Sequence, residues 1–261
     1  NTGKFDLAFE QYLDVLKISK TARDSGGVYN ALEKYYLIKG QADKSLEFYE
    51  LKLAKYKTIL APKNLMVFRV FTIDSYVYAG ELDRAFEILE EIAGKLDPPL
   101  DNIVPFGYMT IYAETGDTEK ALGAISGAED LIKGFGEEVL MANIYYSQGK
   151  LNELLGEYQT AIDYYHKYLV TNATSYFVHS SIARCYRQLQ DFQKAEEEIQ
   201  ISLKHLPFNP TCNYEAALLY FETGEEEKGL EHLERAVEIW KDADSDYEKA
   251  FIAKEKLSSL K

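Results

Sequence analysis

Small and bulky side chains return at fixed offsets along the whole sequence. A small residue that precedes a turn and a helical pattern recurs at Gly3, Gly40, Gly80, Gly116, Gly156 and Gly224, with Gln190 in its place once. Five residues later another small side chain recurs, at Ala8, Ser45, Ala85, Ala121, Ala161, Ala195 and Gly229. Four residues after that comes a bulky one, at Tyr12, Tyr49, Leu89, Ile125, Tyr165, Ile199 and Leu233. All three columns share the spacings 37, 40, 36, 40, 34 and 34, which indicates an internal repeat.

Each column has a physical role in a stack of helix pairs. A glycine at the end of a helix allows the chain to reverse, because left-handed backbone angles cost glycine least. The small residue lets the second helix approach the first closely, and the bulky residue one turn later fills the space beside it. One helix pair cannot bury its own apolar face, so the pairs must stack. The pattern predicts an all-α fold stacked in one direction, which contact between distant helix pairs would contradict.

Apolar positions at helical spacing predict two helices in each repeat. Residues 5–20 are predicted to form a lone second helix, and six full pairs follow. First helices are predicted near 27–39, 64–79, 102–115, 138–155, 175–189 and 209–223. Second helices are predicted near 42–56, 82–95, 118–133, 158–171, 192–205 and 226–240. Ser245, followed three residues later by Glu248, predicts a capping box that starts a terminal helix over residues 245–260.

These columns resemble the tetratricopeptide repeat (TPR) family, whose unit is a helix-turn-helix of 34 residues. The clearest copies are Tyr176–Asn209, with Ile182, Ala183, Tyr186, Phe192, Ala195, Ile199 and Pro207, and Pro210–Lys241, with Ala216, Ala217, Tyr220, Gly224, Gly229, Leu233 and Ala236. The resemblance covers nearly the whole chain and implies a right-handed α-solenoid that forms a single domain over residues 1–261. Its parts are a half repeat at 1–24, six full repeats at 25–240 and a capping helix at 245–260. Asn152 departs from the family pattern, which has an aromatic residue there, and Gly229 replaces an alanine.

Charge and composition narrow the classes of partner. The 261 residues carry 29 basic and 43 acidic side chains, a net charge of −14 that repels nucleic-acid phosphates and anionic lipid head groups. We therefore expect no nucleic-acid partner. No apolar run reaches the roughly 18 residues of a membrane-spanning helix, so the sequence predicts a soluble chain without membrane insertion. The residues do not encode a compartment, and the cytoplasm is our working expectation.

In TPR proteins the first helices of successive pairs line a concave surface, and positions 2, 5, 9, 12 and 13 of each unit face inward. The resemblance therefore implies a peptide-binding groove lined by Asn30, Lys34, Asp74, Tyr78, Phe106, Tyr146, Lys150, Arg184, Arg187, Tyr214 and Phe221. Lys150, Arg184 and Arg187 would place positive charge beside aromatic side chains. We predict a site that combines aromatic anchors with cations for an acidic group of the partner. Alternatively, these are ordinary solvated or packing residues.

The sequence holds no pattern that indicates catalysis, a metal or a cofactor. The four histidines, His166, His179, His205 and His232, stand in separate repeats without a cysteine at metal-binding spacing. Cys185 and Cys212 fall in helical stretches and are interpreted as small buried hydrophobes. Phosphate-binding glycine loops, nucleophile elbows and zinc-protease helices are missing from the sequence. We therefore predict a protein that is not an enzyme and needs no cofactor.

Three functional hypotheses follow. The first is a protein-interaction scaffold or regulatory module that presents a preformed groove to an extended or helical segment of a partner protein. The second is the interaction region at the C-terminal end of a larger enzyme or signalling protein, whose catalytic domain would precede residue 1. The third is self-association, in which the uncovered helix over residues 5–20 stacks on another copy of the chain. The identity of a protein or peptide partner is not encoded in these patterns.

Overall fold

A computed structural model describes residues 3–97, 100–135 and 138–260, and in these ranges every regular element is helical. The all-α prediction is confirmed. The chain divides into two compact units. Unit 1 consists of Asn1–Ile59 together with Tyr176–Lys261, and unit 2 consists of Leu60–Ser175. Both units are built from helix pairs of the kind that the repeat pattern predicts.

Unit 1 combines helices from both ends of the chain. They are α1 (Gly3–Ile18), α2 (Ala22–Ile38), α3 (Ala42–Tyr56), α11 (Tyr176–Gln188), α12 (Phe192–His205), α13 (Pro210–Glu222), α14 (Glu226–Ile239) and α15 (Glu248–Ser259), with the remaining helices in unit 2. Helices α2 and α3, α11 and α12, and α13 and α14 form the pairs. The predicted second helices at 42–56 and 192–205 match the observed bounds.

Unit 2 contains seven α-helices and one short 3-10 turn among its described residues. They are α4 (Pro62–Phe71), α5 (Asp74–Tyr78), α6 (Leu82–Ala93), the 3-10 turn Leu100–Ile103, α7 (Val104–Thr115), α8 (Thr118–Phe135), α9 (Glu138–Leu154) and α10 (Tyr158–Thr171). The prediction of one continuous helix over 64–79 is wrong, because the chain breaks between α4 and α5. At the break, the Thr72 hydroxyl donates a hydrogen bond to the Phe68 carbonyl at 2.9 Å.

The turn between the two helices of each pair has the backbone conformation that the sequence predicts. Within residues 3–97, 100–135 and 138–260, the residues with left-handed backbone angles are Gly40, Gly80, Gly116, Gly156, Gly224 and Gln190, with φ between 59° and 80°. All six belong to the first repeating column. Gln190 adopts this conformation although a side chain disfavours it, so the repeat register is maintained even where glycine is missing. The predicted role of the column is confirmed at these six positions.

The column of small residues lies where paired helices touch. Ala85, Ala121 and Ala161 have no exposed surface. At Gly229, a Cβ atom would stand 2.7 Å from the Phe221 ring, closer than real Cβ contacts allow. Gly229 departs from the family pattern because the neighbouring Phe221 ring occupies the space that an alanine methyl would need. The predicted close approach of the two helices is confirmed.

Unit 1 also contains a contact between residues about 200 positions apart, which we call the terminal clasp: residues 240–247 pack against residues 38–42 at the turn between α2 and α3. The Trp240 indole N–H donates to the Ile38 carbonyl at 3.1 Å, and the Asp244 N–H donates to the Gly40 carbonyl at 2.9 Å. The Gln41 side-chain amide donates to the Asp242 carbonyl at 2.8 Å. Stacking of neighbouring pairs alone does not predict this contact, so the expectation that distant pairs stay apart is wrong here.

The terminal clasp also explains where the last helix begins. The predicted capping box of Ser245 and Glu248 does not form, since α15 begins at Glu248 after Tyr247 and no side chain caps it. Asp244 instead accepts a hydrogen bond from the Ala42 N–H at 2.6 Å, in the first turn of α3. The side chain of Gln41, which precedes α3, does not cap that helix. The Asp244 carboxylate therefore caps α3 from across the terminal clasp, because it accepts a hydrogen bond from a backbone N–H at the start of that helix.

Replacing Gly40 by alanine is expected to destabilise unit 1 more than replacing Gly224 by alanine. Both glycines have left-handed φ angles, 69° and 80°, so each alanine costs about 1–2 kcal/mol from the backbone. A Cβ at Gly40 would also lie 2.6 Å from the Tyr247 ring, whereas Gly224 has open space around it. Overpacking adds roughly 1–3 kcal/mol at Gly40. Urea denaturation of both variants tests the terminal clasp, and equal losses would contradict it.

Candidate functional site

The predicted groove residues are divided between the two units. Unit 1 holds Asn30, Lys34, Arg184, Arg187, Tyr214 and Phe221, and unit 2 holds Asp74, Tyr78, Phe106, Tyr146 and Lys150. All five of the residues in unit 2 line one cavity of about 120 Å³. The helices around this cavity are α4, α5, α7 and α9. The structure thus brings together in one place residues from three successive predicted repeats.

The break between α4 and α5 places the first polar residues of the cavity. Because the chain turns at Thr72 and Ile73, Asp74 and Tyr78 stand on a separate short helix rather than on a continuation of α4. Ile73 is buried, with 1% of its surface exposed, and anchors the break in the core of the unit. Both ends of α5 therefore contribute a side chain to the cavity lining.

Glu114 joins the polar side chains of the cavity. The Tyr78 hydroxyl donates a hydrogen bond to one Glu114 carboxylate oxygen at 2.9 Å, and the Lys150 ammonium group forms an ion pair with the other. The Glu114 and Lys150 side chains are largely buried, with 13% and 24% of their surface exposed. Burial of the hydroxyl, followed by the negative charges of Glu114 and Asp74, raises the pKa of Tyr78 well above its usual value. The hydroxyl therefore stays protonated and acts as a donor.

The floor of the cavity is apolar. The Phe71 and Phe106 rings lie 5.4 Å apart between centroids, and Phe106 and Met109 each expose only 1% of their surface. A cavity of about 120 Å³ is smaller than the roughly 300–1,000 Å³ that drug-sized ligands and cofactors occupy. It has room for one side chain or a few water molecules. Its size therefore fits a contact point for a larger partner better than a cofactor site.

The two predicted arginines of unit 1 face carboxylates of the same unit. Arg184 donates to Glu215 at 2.9 Å, and Arg187 donates to Glu222 at 2.5 Å. A second Arg187 nitrogen lies 3.6 Å from the other Glu215 oxygen. Arg187 and Glu215 are nearly buried, with 9% and 7% of their side-chain surface exposed, while Glu222 remains 42% exposed. These ion pairs join α11 to α13, so the two guanidinium groups also have a structural role.

The other predicted residues of unit 1 lie in packing contacts or in solvent. The Asn30 side-chain oxygen accepts a hydrogen bond from the buried Lys52 ammonium group at 3.3 Å, and Lys34 is exposed. Tyr214 packs beside Trp240 with 6.1 Å between ring centroids, and burial raises the pKa of its hydroxyl. Tyr214 and Phe221 both pack against the apolar cluster to which Trp240 belongs. The role of these residues in peptide binding stays a prediction.

Seven of the twelve residues that line the cavity were not predicted, and among these seven Glu114 and Asn143 have a recognisable sequence signal. The inward positions of the repeat that contains Phe106 also include Glu114 at position 13. Asn143 holds position 2 of the next repeat. Applying the same register to every repeat would therefore have found both residues. What the register could not show is that the Glu114 carboxylate pairs with Lys150.

We also searched the described residues for metal sites, membrane-spanning helices, reactive cysteines and exposed apolar surfaces. No group of three or more His, Cys, Asp or Glu side chains in them could hold a metal ion. None of their helices combines the length and the apolar character that crossing a membrane requires. Cys185 and Cys212 are buried and form no disulfide, which confirms their interpretation as small core residues. On α1, Leu7, Val15 and Ile18 are exposed, and self-association through this helix stays a prediction.

Comparison with known proteins identifies the same repeat. The sequence model of the tetratricopeptide repeat family matches residues 181–246. A crystal structure of nearly identical TPR-like repeats from a Podosopora anserina kinesin light chain is similar. Its TM-score is 0.51 and its sequence identity 15%, and the match covers 72% of this chain and 100% of that chain. The structure of a MamA RS-1 double mutant has a TM-score of 0.49 and 14% sequence identity, and the match covers 71% of this chain and 99% of that chain. No curated protein sequence matches. At these identities the structural likeness concerns the fold alone.

Proposed function

This chain is a tetratricopeptide-repeat protein, and from that premise we propose that it is a non-catalytic protein-interaction scaffold or regulatory module. TPR folds are typically non-catalytic interaction modules, and their partners are proteins. In our proposal the chain binds a peptide or helix of a partner protein in its concave groove. The cavity of unit 2 is the point where a side chain of the partner is received.

One observation supports this proposal: all five of the predicted groove residues in unit 2 line the same small cavity. Asp74, Tyr78, Tyr146 and Lys150 lie on α5 and α9, and the apolar floor between them comes from α4 and α7. Binding energy at protein interfaces concentrates in a few well-packed aromatic and charged side chains. A cavity that offers rings, hydrogen-bonding groups and an apolar floor has these properties.

Photo-crosslinking from the rim of the cavity tests the proposed function. Asn143 lines the cavity and is exposed, so a benzoylphenylalanine at this position should be accepted without disturbing the core. The matched control carries the same residue at Val170 on α10, which exposes 82% of its surface and does not line the cavity. With the full chain in an extract of its native cell, we expect a crosslinked partner from position 143 that position 170 does not give.

Mass spectrometry of the crosslinked product then maps the segment of the partner. We expect one contiguous peptide or one helix, attached at position 143. Identical products from both positions, or no product that depends on position 143, would contradict binding at this cavity. Thermal unfolding of both labelled chains confirms that each is folded before the comparison is made.

A further inference from the structure

We propose that the cavity of unit 2 receives an apolar side chain of the partner, of about the size of leucine or phenylalanine. This inference rests on the proposed function and specifies the chemistry of the partner at one point. It replaces the acidic group that the sequence suggests as the ligand. It follows from the interactions of the charged side chains that line the cavity, from the apolar floor and from the size of the cavity.

The charged side chains of the cavity already interact with other groups of the chain. Glu114 accepts a hydrogen bond from the Tyr78 hydroxyl and forms an ion pair with Lys150. The negative charge of Asp74 acts on the Tyr78 hydroxyl, and Asp74 has a further interaction within the chain. Asp74, Glu114 and Lys150 are the charged residues among the described residues that line the cavity. The charges of the cavity therefore do not require a charged ligand.

A charged group of the partner would disturb the ion pair between Glu114 and Lys150. A carboxylate placed at Lys150 would also lie close to Glu114, and an ammonium group placed at Glu114 would lie close to Lys150. Each attraction would therefore come with a repulsion between like charges. A ligand that displaced one of the two side chains would leave the other charge largely buried without its partner, which is unfavourable. An apolar side chain leaves the ion pair intact.

The floor of the cavity suits an apolar side chain. The planes of the Phe71 and Phe106 rings are tilted by 51°, and Met109 and Ala113 also line the cavity. An apolar side chain that packs on this floor removes its own surface from water, and a ring can add favourable contacts with the aromatic rings and with the sulfur atom. A neutral polar side chain would bury hydrogen-bonding groups against atoms that offer them no partner. The floor therefore favours an apolar ligand.

The size of the cavity limits the ligand to one side chain. Its volume of about 120 Å³ is slightly smaller than the roughly 150 Å³ of an apolar protein cavity that holds benzene. The branched group of leucine or the ring of phenylalanine fills such a space, whereas alanine leaves most of it unfilled. Tyr78 exposes 37% of its surface and Asn143 is exposed, so the cavity has an open side through which the side chain can enter.

Peptide selection against a variant with a filled cavity tests this inference. Thr110 lines the cavity from α7, and its hydroxyl donates to the Phe106 carbonyl of the same helix at 3.0 Å. Thr110→Leu should therefore keep the helix and place an apolar side chain of the chain itself in the cavity. The matched control is Thr115→Leu at the end of the same helix, outside the cavity lining. The Thr115 hydroxyl makes the same kind of hydrogen bond, to the Ile111 carbonyl at 3.0 Å.

Random peptides of about twelve residues are selected for binding to the immobilised full chain. Binders that Thr115→Leu retains and Thr110→Leu loses are kept, because the net charge of −14 attracts basic peptides to the whole surface and only this difference reports on the cavity. We expect these peptides to share one leucine, methionine or phenylalanine. Replacing that residue by alanine should weaken binding about thirtyfold, which corresponds to about 2 kcal/mol. This loss and the loss in Thr110→Leu should not add.

Methyl NMR of the complex locates the shared side chain. The chain has three methionines, so labelling of the methionine methyl groups gives three signals. Met109 lines the cavity, whereas Met66 and Met141 are not part of the lining. We expect the apolar residue of the bound peptide to contact the Met109 methyl group and neither of the other two. These contacts are measured on the unmodified chain, so they test the inference even if Thr110→Leu is unstable.

Peptides that distinguish the two variants but share an acidic, basic or neutral polar residue would overturn this inference and leave the proposed function intact. Contacts of the shared residue with Met66 or Met141 instead of Met109 would have the same meaning. If no selected peptide distinguishes Thr110→Leu from Thr115→Leu and none contacts Met109, the inference and the proposed binding point are both overturned. Thermal unfolding of each variant verifies its fold.

Discussion

Replacing Trp240 by alanine is expected to lower the free energy of unfolding of unit 1 by about 3–5 kcal/mol, the usual cost of removing a fully buried tryptophan. Trp240 has no exposed surface and belongs to an apolar cluster with Ala250 and Ala253. Its indole N–H also donates to the Ile38 carbonyl in the terminal clasp. The variant therefore loses core packing at one end of the chain and a hydrogen bond to the other end. Urea denaturation measures the loss.

The position of the effect is as informative as its size. Hydrogen exchange in the Trp240→Ala variant should accelerate at the start of α3, around Ala42, as well as in α15. Ala42 is affected because the clasp that presents the Asp244 carboxylate to its N–H is weakened. Trp240→Phe keeps most of the apolar volume and should cost less, about 1 kcal/mol for the lost hydrogen bond, with the same pattern of exchange. Faster exchange confined to α13–α15 would show that the clasp adds nothing.

The turns between paired helices could be predicted from the sequence because their cause is local. A left-handed residue at the end of a helix costs glycine little, so selection for that conformation leaves a visible column of glycines. Gln190 shows that the register holds without the residue type, since its φ is 59°. The small residues could be predicted for a similar reason: at Ala85 and Ala161, a larger side chain would separate two helices that are adjacent in sequence.

The terminal clasp could not be predicted, because its cause is not local. Trp240 packs against the last helix, in one apolar cluster with Ala250 and Ala253. Its hydrogen bond to the Ile38 carbonyl depends on how all the helices of unit 1 pack together. The residues next to Trp240 in the sequence do not determine that packing. Ser245 and Glu248 have the spacing of a capping box, yet the neighbouring Asp244 is held by Gly40 and Ala42, and the helix starts later.

The candidate site was partly predictable for related reasons. The repeat register transfers from one helix pair to the next, so it found Asp74, Tyr78, Tyr146 and Lys150, which line one cavity. The repeat register gives the position of a charged side chain, but it does not show which oppositely charged group that side chain pairs with. The ion pair between Lys150 and Glu114 depends on how α7 and α9 pack against each other. The sequence of neither helix alone predicts the distance between these two side chains.

Replacing Lys52 by methionine is expected to destabilise unit 1 by about 3–5 kcal/mol, because it leaves the Glu33 carboxylate buried without its ion-pair partner. The Lys52 side chain exposes 2% of its surface and that of Glu33 exposes 10%. The Lys52 ammonium group also donates a hydrogen bond to Asn30 and lies 4.7 Å from the centre of the Tyr49 ring. Methionine has a similar length and fills the same space, so the loss reports on charge rather than on a cavity. Urea denaturation measures it.

Two further variants separate the charge from the packing. Lys17→Met removes an exposed ion pair with Asp14 on α1 and should cost far less than Lys52→Met, since water screens that pair. The double variant Lys52→Met with Glu33→Leu removes both buried charges and should be clearly more stable than Lys52→Met alone, because the desolvation cost of the carboxylate disappears with it. A double variant less stable than Lys52→Met would mean that Glu33 stabilises α2 through contacts other than this ion pair. In that case the buried pair could not be the reason that α2 and α3 hold their relative position.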